Sequence, residues 1–195
     1  MEGETPMSEV RLRLKDRCFI CDKLDSEEYD YMCHVQYSVT HEEEMKRLFL
    51  SKGFCNGHFW KIAFLTSPES VSKMAILLIE NGKIPTGCLI CDYLLSKEEA
   101  FLDEFRKEMA AGSPETSTVS TKPLCEPHFM LAGNGLDAYS LKYLAGIHTD
   151  HNRQLLGELK SFVAKRENRS ARTADEETAW WRVVERLVGR KGSVR

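Results

Sequence analysis

Long apolar runs are missing from this chain of 195 residues. The longest, Met74-Ala-Ile-Leu-Leu-Ile79, falls far short of the roughly 20 residues that a membrane-spanning helix needs. The first residues carry Glu2, Glu4 and Glu9 and no apolar signal core, so a cytoplasmic location is expected. No stretch sustains a period of two, which argues against a sheet. There is no glycine-rich phosphate loop, no His-Glu-x-x-His and no nucleophile–base–acid constellation, so the expectation leans away from an enzyme. A formal net charge of −3 disfavours nucleic acid as a partner.

What the chain does have is cysteine in register. Six of its seven cysteines fall in two Cys-x-x-Cys and two Cys-x-x-His half-motifs: Cys18-Phe-Ile-Cys21, Cys55-Asn-Gly-His58, Cys88-Leu-Ile-Cys91 and Cys125-Glu-Pro-His128. Each of the four residues of the second set, Cys88, Cys91, Cys125 and His128, stands 70 positions from its counterpart in the first. A single Cys-x-x-Cys is a weak signal, whereas a doubled pattern in register is strong. In a reducing compartment such thiols are metal ligands rather than disulfides.

The chemistry follows from the spacing. Cys-x-x-Cys curls two sulfurs toward one ion, and Cys-x-x-His at a helix N-terminus supplies two more donors, where the helix dipole favours thiolate. Three sulfurs and one imidazole form a closed tetrahedral zinc shell with no position for activated water. Two Zn2+ per chain are therefore expected on Cys18, Cys21, Cys55, His58, Cys88, Cys91, Cys125 and His128. Sequential adjacency favours one site from Cys18, Cys21, Cys55 and His58 and another from Cys88, Cys91, Cys125 and His128. A crossed pairing, each Cys-x-x-Cys meeting the other module's Cys-x-x-His, is sterically open. An iron–sulfur cluster is the rival cofactor. Covalent haem is excluded because Asp22 and Asp92, not histidine, follow the Cys-x-x-Cys pairs, and a thioredoxin-like site lacks its βαβ context.

Helical periodicity dominates the rest. Asp25-Ser-Glu-Glu28 opens a helix with Leu24, Glu28, Tyr31 and Val35 on one stripe; Leu94, Glu98, Phe101 and Phe105 repeat it. Thr40 with Glu43 reads as a capping box for a second helix ending at Gly53, with Met45, Leu48 and Phe49 inward. A third follows Cys55, with Asn56 as its cap and Phe59, Ile62 and Phe64 on it. Ser67-Pro68 caps a fourth, which ends at Asn81-Gly82. The Ser/Thr-rich tract 112–122 reads as a loop. A long helix is expected from about Leu136 to about Asn168. After a basic break at Lys165, Arg166, Arg169 and Arg172, a Thr173–Glu176 capping box opens a last helix with Trp180, Trp181, Val184, Leu187 and Val188 inward. The organisation expected is an all-α fold: lead-in 1–17, duplicated metal-knuckle modules 18–86 and 87–135, and a C-terminal helical hairpin 136–195.

Lesser candidates read more plainly. Arg11, Arg13, Lys15 and Arg17 form a solvated lead-in. Glu28 and Glu98 read as stripe-edge glutamates facing water, with orientation of the ligand histidines from behind as the alternative. Cys33-His34 has no counterpart, since Asp103-Glu104 stands there. His148 and His151 are spaced to grip an ion but lack further donors, and read as core-flanking.

The motifs Cys18-Phe-Ile-Cys21, Gly53-Phe-Cys-Asn-Gly-His58, Gly87-Cys-Leu-Ile-Cys91 and Leu124-Cys-Glu-Pro-His128, together with the tail around Ala179-Trp-Trp-Arg-Val-Val-Glu-Arg-Leu-Val-Gly189, resemble an uncharacterised family of prokaryotic proteins. The resemblance covers nearly the whole chain. It implies an intracellular protein with two metal sites and carries no assigned activity. The tract 112–122 and the Cys33-His34 pair depart from it. The expected function is a zinc-binding protein that engages a protein partner, with an iron–sulfur or thiol redox carrier and a metallochaperone as alternatives; no oligomeric state follows.

Overall fold

The computed structural model describes residues 17–82, 86–111, 119 and 121–189, and among these there are eight helices and no strand. They are α1 (Phe19–His41), α2 (Glu43–Lys52), α3 (Asn56–Leu65), α4 (Pro68–Asn81), α5 (Leu89–Ala110), α6 (Glu126–Gly133), α7 (Ala138–Glu167) and α8 (Ala174–Val188). Most of the basic lead-in, most of the Ser/Thr-rich tract and the basic tail lie outside the described residues. Among the described residues no helix is long and apolar enough to cross a membrane.

Two compact units emerge. The first takes described residues up to Asp22 and those from Phe101 onward; the second is Lys23–Ala100. Both limits fall inside a helix, α1 and α5, rather than at the repeat boundaries read from the sequence. In the first unit Ile20, Phe105, Met109, Leu144 and Ala179 are buried, and the rings of Phe19 and Phe105 meet at 5.8 Å. In the second unit Val35, Val39, Phe49, Ile62, Met74 and Ile90 form the core. Phe49, Phe54 and Phe59 make a ladder of tilted rings at 4.9 and 6.0 Å, which packs the chain on both sides of Cys55. Tyr31 stacks on Tyr93 at 3.8 Å, joining α1 to α5 within this unit.

Several helix ends form as the residues dictate. Ser67 accepts from the Ser70 amide ahead of Pro68, and Gly82 closes α4 in the left-handed region at φ 63°. Asp137 caps α7 through the Tyr139 and Ser140 amides. Other ends differ. The first helix begins at Phe19, not Asp25, so Cys21 lies in its first turn. It also runs on through Thr40, whose hydroxyl donates to the Tyr37 carbonyl at 3.0 Å. The Thr40–Glu43 box is therefore not made; Glu42 stands at the N-terminus of α2 without a side-chain cap bond. Leu48 and Phe64 point outward, at 42% and 84% exposure, leaving Phe49 buried in α2, and Ile62 with His58 buried in α3.

The largest reversal is in α8. Its expected inward residues Trp180, Val184, Leu187 and Val188 are exposed, and Glu176, Ala179, Arg182 and Arg186 are buried instead. Burying charge is costly unless it is paired, and here each charged group has a partner. Glu176 takes Lys165 at 2.8 Å and the Ser161 hydroxyl at 2.6 Å. Arg182 pairs with Glu158 and donates to the Asp175 carbonyl, and Arg186 donates to the Leu124 carbonyl. Lys165 and Ser161, with the Thr173 amide, hold the Glu176 carboxyl down at about 2. The basic break is thereby engaged internally: Arg172 pairs with Glu177 at 2.5 Å, and Arg166 and Arg172 lie over the Phe162 ring.

The Thr173–Glu176 capping box is complete in both directions. Replacing Thr173 by alanine removes the acceptor for the Glu176 amide and is expected to cost about 1 kcal/mol. The drop would show in the midpoint of urea unfolding. An unchanged midpoint would mean that the start of α8 is not ordered by this box.

Candidate metal centres

The structure gathers the eight lattice residues into two clusters, in the crossed arrangement. Cys18, Cys21, Cys125 and His128 form one, and Cys55, His58, Cys88 and Cys91 the other; within each, one ligand atom per residue lies within 4.8 Å of all the rest. The pairing by sequence adjacency is thus overturned. Each cluster lies wholly inside one unit.

Backbone hydrogen bonds explain the crossing. The Phe19 amide, just past Cys18, donates to the Pro123 carbonyl at 3.2 Å, two residues ahead of Cys125. The Leu89 amide, just past Cys88, donates in the same way to the Gly53 carbonyl at 3.1 Å, two residues ahead of Cys55. The second knuckle adds Gly87 N to Lys52 O at 3.2 Å. Gly53 sits at φ 64° and ψ −154°, a region essentially reserved for glycine. The first knuckle has Pro123 at the equivalent place. In both, the Cys-x-x-Cys half enters a long helix and the other cysteine is the residue preceding a short one: Cys125 before α6 and Cys55 before α3. Neither Cys55 nor Cys125 spends its sulfur on a cap bond, so each turns toward its cluster; Asn56, expected as the cap, is already the first residue of α3.

Geometry within the clusters matches from one to the other. His128 Nδ1 lies 3.3 Å from Cys18 Sγ, 3.4 Å from Cys21 Sγ and 3.1 Å from Cys125 Sγ. His58 Nδ1 lies 3.2, 3.3 and 3.3 Å from the sulfurs of Cys55, Cys88 and Cys91. The Cys21–Cys125 and Cys55–Cys91 sulfur pairs are each 3.8 Å apart. Zinc–sulfur bonds of about 2.3 Å at tetrahedral angles put two sulfurs about 3.8 Å apart. The donor set fits one tetrahedral ion per cluster.

The groups also tune one another. Burial pushes the Cys88 thiol up, but hydrogen bonds from His58 and from the neighbouring backbone outweigh it and bring it to about 6. Cys91 is pushed well above the ordinary thiol range by burial and by its neighbour Cys88. The other Cys-x-x-Cys behaves alike. Burial raises Cys18, yet contacts with Cys125, Cys21 and His128 hold it well below its usual value, while Cys125 and Cys18 push Cys21 up. His58 is lowered by burial but raised further by Cys88 and Glu28, to about 10.

Behind His58 stands Glu28. Its carboxylate, 3% exposed, lies 2.8 Å from His58 Nε2 and 2.5 Å from Lys61 Nζ. Burial pushes this carboxyl up, and the bonds to His58 and Lys61 more than offset it. An imidazole that offers Nδ1 to an ion carries its proton on Nε2, where Glu28 accepts it. The water-facing reading of Glu28 is thus overturned in favour of its alternative, and the sequence gives no sign of Lys61, whose counterpart is Leu131. In the first unit sequence reasoning also missed the bracing residues. Arg17, next to Cys18, lies 2.8 Å from Asp22 and 3.3 Å from Glu185 on α8, and Arg186 holds the carbonyl just before Cys125. These are single charged residues with no motif around them, so only the packing reveals them.

The remaining candidates fall outside the clusters. His148 is buried, pairs with Glu126 at 3.0 Å and stacks on Phe129 at 4.1 Å, which makes it a core-flanking residue. Cys33 is an exposed free thiol on α1. Glu98 is half-buried. His151 lies beside Arg182 and Arg186 in a small recess rather than at either cluster.

Comparison with known proteins yields no match to a family model, a curated protein or a solved structure. Of the resemblance to a prokaryotic family, what stands is the pair of Cys/His clusters.

Replacing Glu28 by glutamine is expected to weaken metal binding at the Cys55–His58–Cys88–Cys91 cluster by about 10- to 100-fold, leaving the other cluster unchanged. Competition with a chromophoric chelator resolves the two affinities. Equal affinities in the variant and the parent would show that Glu28 does not orient His58.

Proposed function

We propose that the chain is a zinc protein in which Cys18, Cys21, Cys125 and His128 bind one Zn2+, and Cys55, His58, Cys88 and Cys91 bind a second. The observation that carries this reading is the spacing of the donors: three sulfurs and one imidazole nitrogen, all within 4.8 Å of one another, twice. An iron–sulfur cluster interposes several iron and sulfide atoms and spreads its ligands further than one ion does, so this spacing favours a single ion. An internal duplication, each knuckle half passing to the other's partner, accounts for the 70-residue register and the matching backbone bonds.

Four protein donors close the shell, which supports a structural role and leaves no coordination position for water. Zinc bound in this way supplies roughly 10–16 kcal/mol of apparent binding energy, comparable with or above the roughly 5–15 kcal/mol net stability of a domain. The metal stands in for the apolar burial that short helices do not provide. What such a scaffold offers a partner is surface. The outward face of α8, with Trp180, Val184, Leu187 and Val188 all 48% or more exposed, is the apolar stripe best suited to a protein partner. The function that follows is a non-enzymatic, zinc-stabilised interaction module working inside the cell.

Elemental analysis with an absorption spectrum, on protein purified without oxygen or added metal, tests this reading. About two zinc per chain and no visible band are expected; iron with sulfide and a broad visible band would contradict it and favour a redox carrier.

A pH dependence follows as well. Before an ion binds, Cys91 and His58 hold protons at neutral pH, since both are shifted upward, His58 to about 10. Cys21 is shifted the same way. Zinc must expel these protons, so its apparent affinity falls as pH falls, by about one decade per pH unit for each proton expelled. Chelator competition between pH 8 and pH 6 measures the slope; a flat profile would contradict thiol and imidazole ligation.

A further inference from the structure

We propose that the two sites exchange metal at different rates, and that the Cys55–His58–Cys88–Cys91 site is the one that passes its ion to a competing thiolate or chelating acceptor. This rests on the zinc reading above and assigns the exchange to one place.

Access separates the sites. Cys18, Cys21, Cys125 and His128 are all buried, at 8%, 4%, 1% and 2% exposure. In the other cluster Cys88 and His58 are as deep, at 5% and 4%, but Cys55 and Cys91 are only half-buried. The space beside them is open too. Gly57, between Cys55 and His58, is exposed, and a methyl group built on it would meet nothing within 4 Å. The equivalent residue of the first knuckle is the half-buried Pro127.

Bracing separates them again. Around the first site, α7 and α8 hold both halves: Glu185 takes Arg17, which also pairs with Asp22 of α1, Arg186 takes the Leu124 carbonyl, and His148 takes Glu126. Opening that site requires undocking α8. At the second site Glu28 and Lys61 hold His58, but the ion pair beside the Cys-x-x-Cys half is Lys52 with Asp92, whose side chains are 47% and 48% exposed. Such exposed pairs contribute little.

Transfer is ligand exchange without oxidation or reduction. A donor atom of the acceptor approaches the ion over Asn56-Gly57 and bonds to it as the Cys55 or Cys91 sulfur leaves. The departing thiolate takes a proton from solvent, and an acceptor thiol gives one up. Glu28 and Lys61 keep His58 in place meanwhile, so the imidazole and Cys88 release last.

The test uses the full chain loaded with two zinc ions and an excess of pyridylazoresorcinol, with maleimide labelling mapped by mass spectrometry in parallel. Release should come in two phases of one equivalent each, the fast one at least about tenfold faster, in the range that support around a metal site typically governs. Cys55 and Cys91 should be labelled with the fast phase and Cys18, Cys21 and Cys125 with the slow one, while Cys33 reacts at once. A single phase of two equivalents would overturn the proposal, as would labelling of Cys18 or Cys125 in the fast phase. A chain that takes up no zinc would overturn the zinc reading itself, and the proposal with it.

Discussion

Everything in this structure depends on two closures of very different reach. The cluster of Cys18, Cys21, Cys125 and His128 ties together residues up to 110 positions apart, whereas the cluster of Cys55, His58, Cys88 and Cys91 spans at most 36. The shorter closure is nested within the longer one along the chain. Loop-closure entropy rises only with the logarithm of length, so the outer closure costs about 1 kcal/mol more than the inner one. Against the roughly 10–16 kcal/mol that a structural zinc site supplies, that difference is small. The crossed pairing is therefore thermodynamically accessible, and the backbone bonds from Phe19 to Pro123 and from Leu89 to Gly53 select it.

The nested arrangement also explains why the two sites sit in different surroundings. The outer closure returns the chain to its own beginning, where α7 and α8 follow at once and pack beside it. Charged residues of α8 then serve as supports: Arg186 on the carbonyl before Cys125, Glu185 on the residue before Cys18. Turning these polar groups inward forces the apolar residues of the same helix outward. Support for the first site and the exposed stripe at Trp180, Val184, Leu187 and Val188 are two faces of one helix orientation. The inner site draws instead on Glu28 and Lys61 behind its histidine.

Much of this was legible in the residues. The eight donors, the all-helical character, the Ser67-Pro68 start, the Gly82 stop and the Thr173–Glu176 box all follow from local chemistry, which sequence records directly. The stripe through Leu24, Glu28 and Val35 was legible for the same reason. The pairing of the half-motifs was not: the interval between Cys21 and Cys55 equals that between Cys91 and Cys125, so spacing fits either arrangement and proximity along the chain favours the wrong one. The face of α8 was not legible either, because periodicity defines two faces and leaves open which one is buried. Here the partners of Arg182 and Arg186, Glu158 and the Leu124 carbonyl, decide it, and neither is near in sequence. The Thr40–Glu43 box failed because α1 ran through it, an outcome that depends on how far the preceding helix extends.

The crossed pairing is the central claim, and one labelling measurement on a variant tests it most directly. In a zinc-loaded chain with Cys18→Ser and Cys21→Ser, maleimide reactivity of each remaining cysteine is compared with that of the parent. The crossed arrangement predicts that Cys125 becomes reactive while Cys55, Cys88 and Cys91 react as they do in the parent. Newly reactive Cys55 beside a still-protected Cys125 would contradict it and restore the pairing of neighbours along the chain.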